Sequence, residues 1–208
     1  MEVVAVIDFE TTGLSPDCGD RATEIAAVLV ADGKVVDRFQ SLMNAGVRIP
    51  PFITALTGIT DAMIRKAPPV ADVMRDVANF VGDHPLVAHN ASFDRRFWDA
   101  ELGRIRRSRR QEFACSMLVA RRLYPHAPSH KLGALVQFAK LPVTGRFHRA
   151  LADAEMAASL LVHMDEELCR RYKIREVPHK LLREIQSVQK HKLDGCLERY
   201  QRKLTAGR

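Results

Sequence analysis

Asp8, Glu10, Asp94, His148 and Asp153, from three separated stretches of a 208-residue chain, are the side chains whose types and spacing could converge on a cation. Asp8 and Glu10 close an apolar run that starts at Val3. In an extended strand, residues two apart share a side and lie about 7 Å from each other, so the two acids converge. A carboxylate buried there is costly unless it is hydrogen-bonded, protonated or bound to a cation. Simple solvation of acids at a strand end is the alternative that this pair leaves open. Asp94 follows His89-Asn90 in the first turn of an expected helix, where the helix dipole alone favours an acid. His89 reads as a hydrogen-bonded core or loop histidine. His148 precedes Asp153 by five residues, a turn of about 140° on a helix, so both can face one site only if His148 lies before the helix proper. Asp153 interrupts an alanine-rich apolar face, and a buried lone acid needs a partner.

The elements that must position these residues follow from periodicity. Residues 3–9 are near-continuously apolar and rich in β-branched side chains, the pattern of a strand buried on both faces. Residues 24–30 and 34–41 read as two more strands joined by Ala31-Asp32-Gly33, an Asp-Gly hairpin signal that predicts antiparallel pairing. A loop holds Pro50 and Pro51. Helical spacing then appears over 61–66 and 70–81, with Val70, Val73, Met74, Val77 and Phe80 on one face. A short buried run at 86–88 delivers the chain into a helix over 92–102, with Asn90 or Ser92 available as its cap. Apolar patterning returns over 113–123 and 132–139, a loop spans 142–145, and 149–168 reads as a long buried helix. Leu181, Leu182, Ile185, Val188 and Leu193 continue a helical period beyond Val177-Pro178. The sum is an α/β protein, a mixed β-sheet flanked by helices, with a C-terminal helical extension.

Composition narrows the function classes. Apolar residues make up 47% and charged residues 27%, a globular balance. The longest uncharged stretch, 49–60, is 12 residues with two prolines, against about 20 apolar residues for a membrane-spanning helix. An acid at Glu2 and no basic segment before the first apolar run predict no secretion signal. The four cysteines form no C-x-x-C pair, so reduced thiols in the cytoplasm are expected, without a zinc ribbon. Net charge is +7, and five of those charges fall in residues 178–208, favouring a polyanionic partner and no membrane. Arg104, Arg106, Arg107, Arg109 and Arg110, with Arg121-Arg122, either contact backbone phosphates or form a solvated basic face. Trp98 reads as core packing.

Taken together, Asp8-Phe9-Glu10-Thr11-Thr12-Gly13, His89-Asn90 with Asp94, and His148 five residues before Asp153 resemble the three motifs of the DEDDh, DnaQ-like 3′-to-5′ exonucleases. That group includes the bacterial DNA polymerase III epsilon subunit and exonuclease X. Leu56-Thr57-Gly58-Ile59-Thr60 also resembles a segment between its first two motifs, and the resemblance covers about residues 1–166. It implies a ribonuclease H-like fold, divided here into an exonuclease domain over 1–172 and a basic, helical extension over 173–208. The implied activity is metal-dependent hydrolysis at the 3′ end of DNA, releasing nucleoside monophosphates in proofreading or repair, with single-stranded DNA as substrate. An RNA-trimming exoribonuclease, and a polymerase-tethering or nucleic-acid-binding protein with secondary catalysis, are the alternatives.

The same resemblance implies roles. Asp8, Glu10, Asp94 and Asp153 would hold two divalent ions, Mg²⁺ or Mn²⁺, which hard oxygen ligands suit, with Asp8 bridging both. His148 would accept the proton of the attacking water, as a neutral imidazole can. A tyrosine-type subclass has Tyr four residues before the last acid; Arg149 stands there. Thr11, Thr12 and Gly13 would offer amides and hydroxyls to the terminal nucleotide, and Leu14, Leu56 and Thr57 would pack against its base or sugar. A turn leaving the strand and a loop over the core explain the same residues. A DNA polymerase subunit is the partner implied for the extension.

Overall fold

Strand β1 (Val4–Thr11) is buried at every position but Asp8, as its apolar run predicts. In the computed structural model, which describes residues 2–143, 145 and 147–206, it lies at the centre of a five-stranded sheet ordered β3-β2-β1-β4-β5. Met1, Gly207 and Arg208, and Thr144 from the loop expected over 142–145, lie outside the described residues, as does Arg146. Strand β2 (Ala22–Ala31) pairs antiparallel with β1, setting Asp8 opposite Ala26 and Glu10 opposite Glu24. The chain reverses into β3 (Lys34–Leu42) through Asp32 and Gly33, both at positive φ, the conformation for which an Asp-Gly pair is suited. Strands β4 (Leu86–Ala88) and β5 (Phe113–Cys115) run parallel to β1. The sheet is therefore mixed, as expected.

Alternation along β1 assigns the two faces. Ala5, Ile7 and Phe9 pack with α3 (Val70–Val81) and α4 (Ser92–Arg104) through Val73, Met74, Val77, Phe97 and Trp98. Trp98 is core, edge-on to Phe9 at 6.3 Å. Val4 and Val6 face the other way, under α7 (Ala150–Tyr172), whose Ala154, Ala157, Ala158 and Leu161 join the same cluster. A period of two then puts Asp8 and Glu10 on the α7 side of the sheet.

Several boundaries differ from the sequence reading. Residues 51–57, read as part of a loop, form the short helix α1 (Pro51–Thr57), because a proline in the first helical position lacks only an N–H that has no intrahelical partner. Helix α2 (Asp61–Lys66) follows, with Thr60 accepting from the Met63 N–H at 3.3 Å. Neither Asn90 nor Ser92 caps α4 with its side chain: Ala91 is the N-cap, and Asn90 instead adopts φ 70° and accepts the Phe93 N–H through its carbonyl. The 113–123 run splits into β5 and α5 (Ser116–Leu123). Helix α6 (Leu132–Phe138) precedes α7. Helices α8 (His179–Ser187) and α9 (Leu193–Ala206) contribute Leu181, Leu182, Ile185, Leu193 and Leu197 to the cluster built on α7, so these segments are folded onto the sheet's helical layer. Among the described residues no helix is long and apolar enough to cross a membrane. All four cysteines are free.

Candidate active site

Three chain segments end at one place. Because β4 runs parallel to β1 and passes directly into α4, the first turn of α4 arrives beside the C-terminal end of β1, the edge where α/β sheets place their ligands. Asp94, in that turn, accepts the Phe9 N–H on Oδ1 at 3.2 Å, the backbone amide between Asp8 and Glu10. Helix α7 brings its own N-terminus to the opposite side of the acids. Glu10, His148 and Asp153 each offer a ligand atom, all within 4.8 Å of one another. His148 precedes the helix, as its spacing from Asp153 required, and reaches the site by taking φ 60°.

One oxygen of Asp153 anchors the start of the helix and the other is unengaged. Its Oδ2 accepts the His148 N–H at 2.9 Å, while its buried Oδ1 has no hydrogen-bond partner. A buried acceptor without a donor needs an explanation, and a hard divalent cation supplies one. The donor set fits such an ion: carboxylate oxygens with an imidazole at the rim, His148 being exposed while Glu10, Asp94 and Asp153 are buried.

Electrostatics point the same way. Burial, then the charges of Asp94, Glu10 and Asp153, push the Asp8 carboxyl well above the ordinary range. Burial, then Asp153 and Glu24, raises Glu10 to about 8, against a lowering by Arg149. Asp94 is raised to about 7 by burial, with the Phe9 N–H acting against it. Asp153 is also raised, by burial before the His148 N–H lowers it. Crowded carboxylates that hold protons near neutrality are ready to exchange them for a cation.

The remaining candidate residues divide into loop builders and exposed apolar groups. Thr11 Oγ1 donates to the Gly13 carbonyl at 2.6 Å; Thr12 Oγ1 accepts the Arg21 N–H at 3.0 Å. Thr57 Oγ1 donates to the Ile53 carbonyl and accepts the Ile59 N–H, both at 3.0 Å. These hydroxyls shape the loops around the site. Leu14 (78% exposed) and Leu56 (47%) present bare apolar surface, and so does Phe52 (67%) one turn before Leu56 on α1. Phe52 escaped the sequence reading because 51–57 looked like loop; the i, i+4 spacing of Phe52 and Leu56 was the available signal. Glu24 escaped too, although an acid inside the apolar run of β2 marks a mismatch that needs partners.

Gly13 is required by close approach. A Cβ there would lie 2.4 Å from both carboxylate oxygens of Asp20, which accepts the Ser15 N–H at 3.0 Å. Gly13→Ala should displace Asp20, cost about 1–2 kcal/mol in thermal denaturation, and raise KM for an oligonucleotide while leaving kcat nearly intact.

Two other groups that the sequence singles out are engaged with partners of their own. His89 is hydrogen-bonded at both ring nitrogens, to Ser116 Oγ and the His130 carbonyl at 2.9 Å each, and burial lowers its pKa to about 4. The arginines of 104–110 gather at the far end of α4, about 15 Å along its axis from Asp94. There Arg109 pairs with Asp99 at 2.7 Å and lies over Phe113, and Arg107 bonds Asn79. Arg122 donates to the Val188 and Leu118 carbonyls.

The Exonuclease family model (RNase_T) matches residues 5–161. The DNA polymerase III PolC-type of Bacillus subtilis (strain 168) is 38% identical over 165 residues, 78% of this chain but 11% of the polymerase. That of Caldanaerobacter subterraneus subsp. tengcongensis is 34% identical over 183 residues, 88% of this chain and 12% of the polymerase. The chain thus spans about a tenth of the length of these relatives. Exonuclease X, solved in complex with 5′-overhanging duplex DNA, superposes with a TM-score of 0.66 at 34% identity, over 78% of this chain and 91% of its own. The nuclease domain of 3′hExo, a DEDDh family member solved with rAMP, shares the fold with a TM-score of 0.69 at 20% identity, over 84% of this chain and 96% of its own. Fold and pocket define a ribonuclease H-like exonuclease, a class that depends on metal, and this chain carries a candidate acidic metal site. The chain belongs to the DEDDh, DnaQ-like family of 3′-to-5′ exonucleases.

Proposed function

We propose that the protein shortens DNA from its 3′ end, preferring single-stranded ends and releasing nucleoside monophosphates, with Asp8, Glu10, Asp94 and Asp153 holding two Mg²⁺ or Mn²⁺ ions and His148 acting as general base. The observation that carries this reading is the meeting of acids from β1, α4 and α7 with an exposed histidine beside an unpartnered Asp153 Oδ1. When bound, such ions polarise the phosphodiester and lower the pKa of the nucleophilic water. His148 is exposed beside Glu10 and Asp153, so its imidazole would accept a proton at the site and release it to bulk solvent. Asp153 holds the His148 backbone amide, so the ligand and the base keep a fixed relation. Leu14, Phe52 and Leu56 offer apolar surface for the terminal bases, while Thr11, Thr12, Gly13 and Thr57 keep the flanking loops in shape. DNA is favoured over RNA by the likeness to DNA polymerases and to a DNA-bound exonuclease, each above 30% identity.

Digestion of end-labelled DNA and RNA oligonucleotides, single-stranded, duplex and mismatched, with Mg²⁺ or Mn²⁺, tests this. DNA should shorten from the 3′ end and EDTA should stop it; faster loss of RNA would favour the trimming enzyme. His148→Ala should lower kcat by about 10²–10⁴-fold, measured in the same assay, with the melting temperature unchanged. Undiminished activity would remove the histidine from the mechanism.

The exonuclease unit is proposed to end near residue 172, with 173–208 as an extension that serves a polymerase subunit. Its basic charge and the polymerase identity of the relatives support that partner.

A further inference from the structure

Glu24 stands directly opposite Glu10 in the antiparallel pairing of β1 and β2, an arrangement that like charges disfavour. It is fully buried, yet it has no lone pair to spare. Its Oε1 accepts from Arg149 Nη2 at 2.8 Å and from Gln40 Nε2 at 2.7 Å; its Oε2 accepts from Arg149 Nε and from the Ala150 N–H, both at 3.1 Å. A carboxylate has about four acceptor positions, and all four are filled. A cation would have to displace one of these donors to reach it.

The partners of Glu24 bracket the catalytic segment. Arg149 is the residue between His148 and the first residue of α7, and it makes no side-chain cap for that helix; the carboxylate of Glu24 caps Ala150 instead. His148 sits at φ 60°, a conformation that side chains other than glycine rarely adopt and that persists only where neighbours over-determine it. The His148 N–H is tied to Asp153, and the next two residues are tied to Glu24 by three hydrogen bonds. Gln40 on β3 holds the carboxylate in turn. We infer that Glu24 is a positioning residue for His148, acting through Arg149 and the first turn of α7, and is not a further metal ligand. This inference rests on the role of His148 proposed above.

Glu24→Gln in the whole chain keeps the shape but turns an N–H toward donors. For a single-stranded DNA oligonucleotide its kcat should fall about 10–100-fold with KM within about twofold. Calorimetric titration should give a Mn²⁺ Kd within about fivefold of the unmodified chain, because no metal ligand is lost. Arg149→Met should give the same split, and joining the two should cost no more than the worse one alone, as residues acting through one contact do. An unchanged kcat in Glu24→Gln, losses that add in the double variant, or weaker Mn²⁺ binding than that margin would each overturn the inference. Should Glu24→Gln fail to fold, Arg149→Met with the Mn²⁺ titration decides by the same criteria. His148→Ala runs alongside: if it is fully active, the reading of the site fails; if it is inactive while folded Glu24→Gln is fully active, only the role of Glu24 fails.

Discussion

Replacing Asp94 with Asn should abolish metal-dependent shortening of DNA and, at the same time, make the metal-free protein more stable at pH 8. Asparagine keeps the acceptor that receives the Phe9 N–H, so the backbone contact between α4 and β1 survives. What disappears is a buried charge beside Asp8, which the fold tolerates only at a cost. With Asp94 near 7 in the folded chain and near 4 when unfolded, removing the need to ionise it at pH 8 is worth ~4 kcal/mol. For a chain of this size that amounts to about 8–16 °C in Tm. Calorimetry in EDTA and an end-labelled digestion measure the two effects. A variant that stays active, or one that melts earlier without metal, contradicts the assignment of Asp94 as a repelled metal ligand.

The second large effect joins pH to metal. Glu10 near 8 and Asp94 near 7 keep protons in the native state that the unfolded chain has already released. Their stabilising contribution is complete below pH 4 and is lost as the pH rises through 7 and 8. Asp165 on α7, raised to about 8 by burial, acts with the same sign from outside the pocket. His89, lowered to about 4, and His179, also lowered by burial, act oppositely, but only below about pH 6.5. Between about pH 6.5 and 8 the acids dominate, so Tm in EDTA should fall across that window. Mg²⁺ or Mn²⁺ should raise Tm most at its upper end, since the ion takes the place of protons, by about 2.7 kcal/mol when present at a hundred times its Kd. A smaller slope owed to Asp165 should remain with metal bound. A flat EDTA profile over that range, in protein that degrades DNA, would count against the pocket as drawn.

Much of this architecture was legible before any coordinates. The run of residues 3–9, the Asp-Gly hairpin and the helical faces over 70–81 and 149–168 each satisfy a local rule strongly enough that tertiary packing had nothing to override. Where local signals were mixed, the reading was wrong. Two prolines hid α1, and with it the exposed Phe52. Asn90 looked like a cap but serves as a left-handed turn residue, a role that its side chain equally permits. The helical extension expected after 178 is present as α8 and α9, and the apolar period through Leu181, Leu182 and Ile185 marks the buried face of α8.

Residue type and order by themselves singled out five side chains as candidates for chemistry, because alternation along a strand and the position of His148 before a helix are short-range constraints on the backbone. They could not say how Glu24 is used, since its partners Gln40, Arg149 and Ala150 lie on β3 and at the start of α7, up to 126 residues away. Nor could they tell that Asp153 Oδ1 is left without a donor while Oδ2 is held, or that the arginines of 104–110 sit at the far end of α4 from the acids. Burial, hydrogen-bond saturation and distance between remote segments belong to the packed chain. Those quantities separate a carboxylate able to take a cation from one already committed to its neighbours.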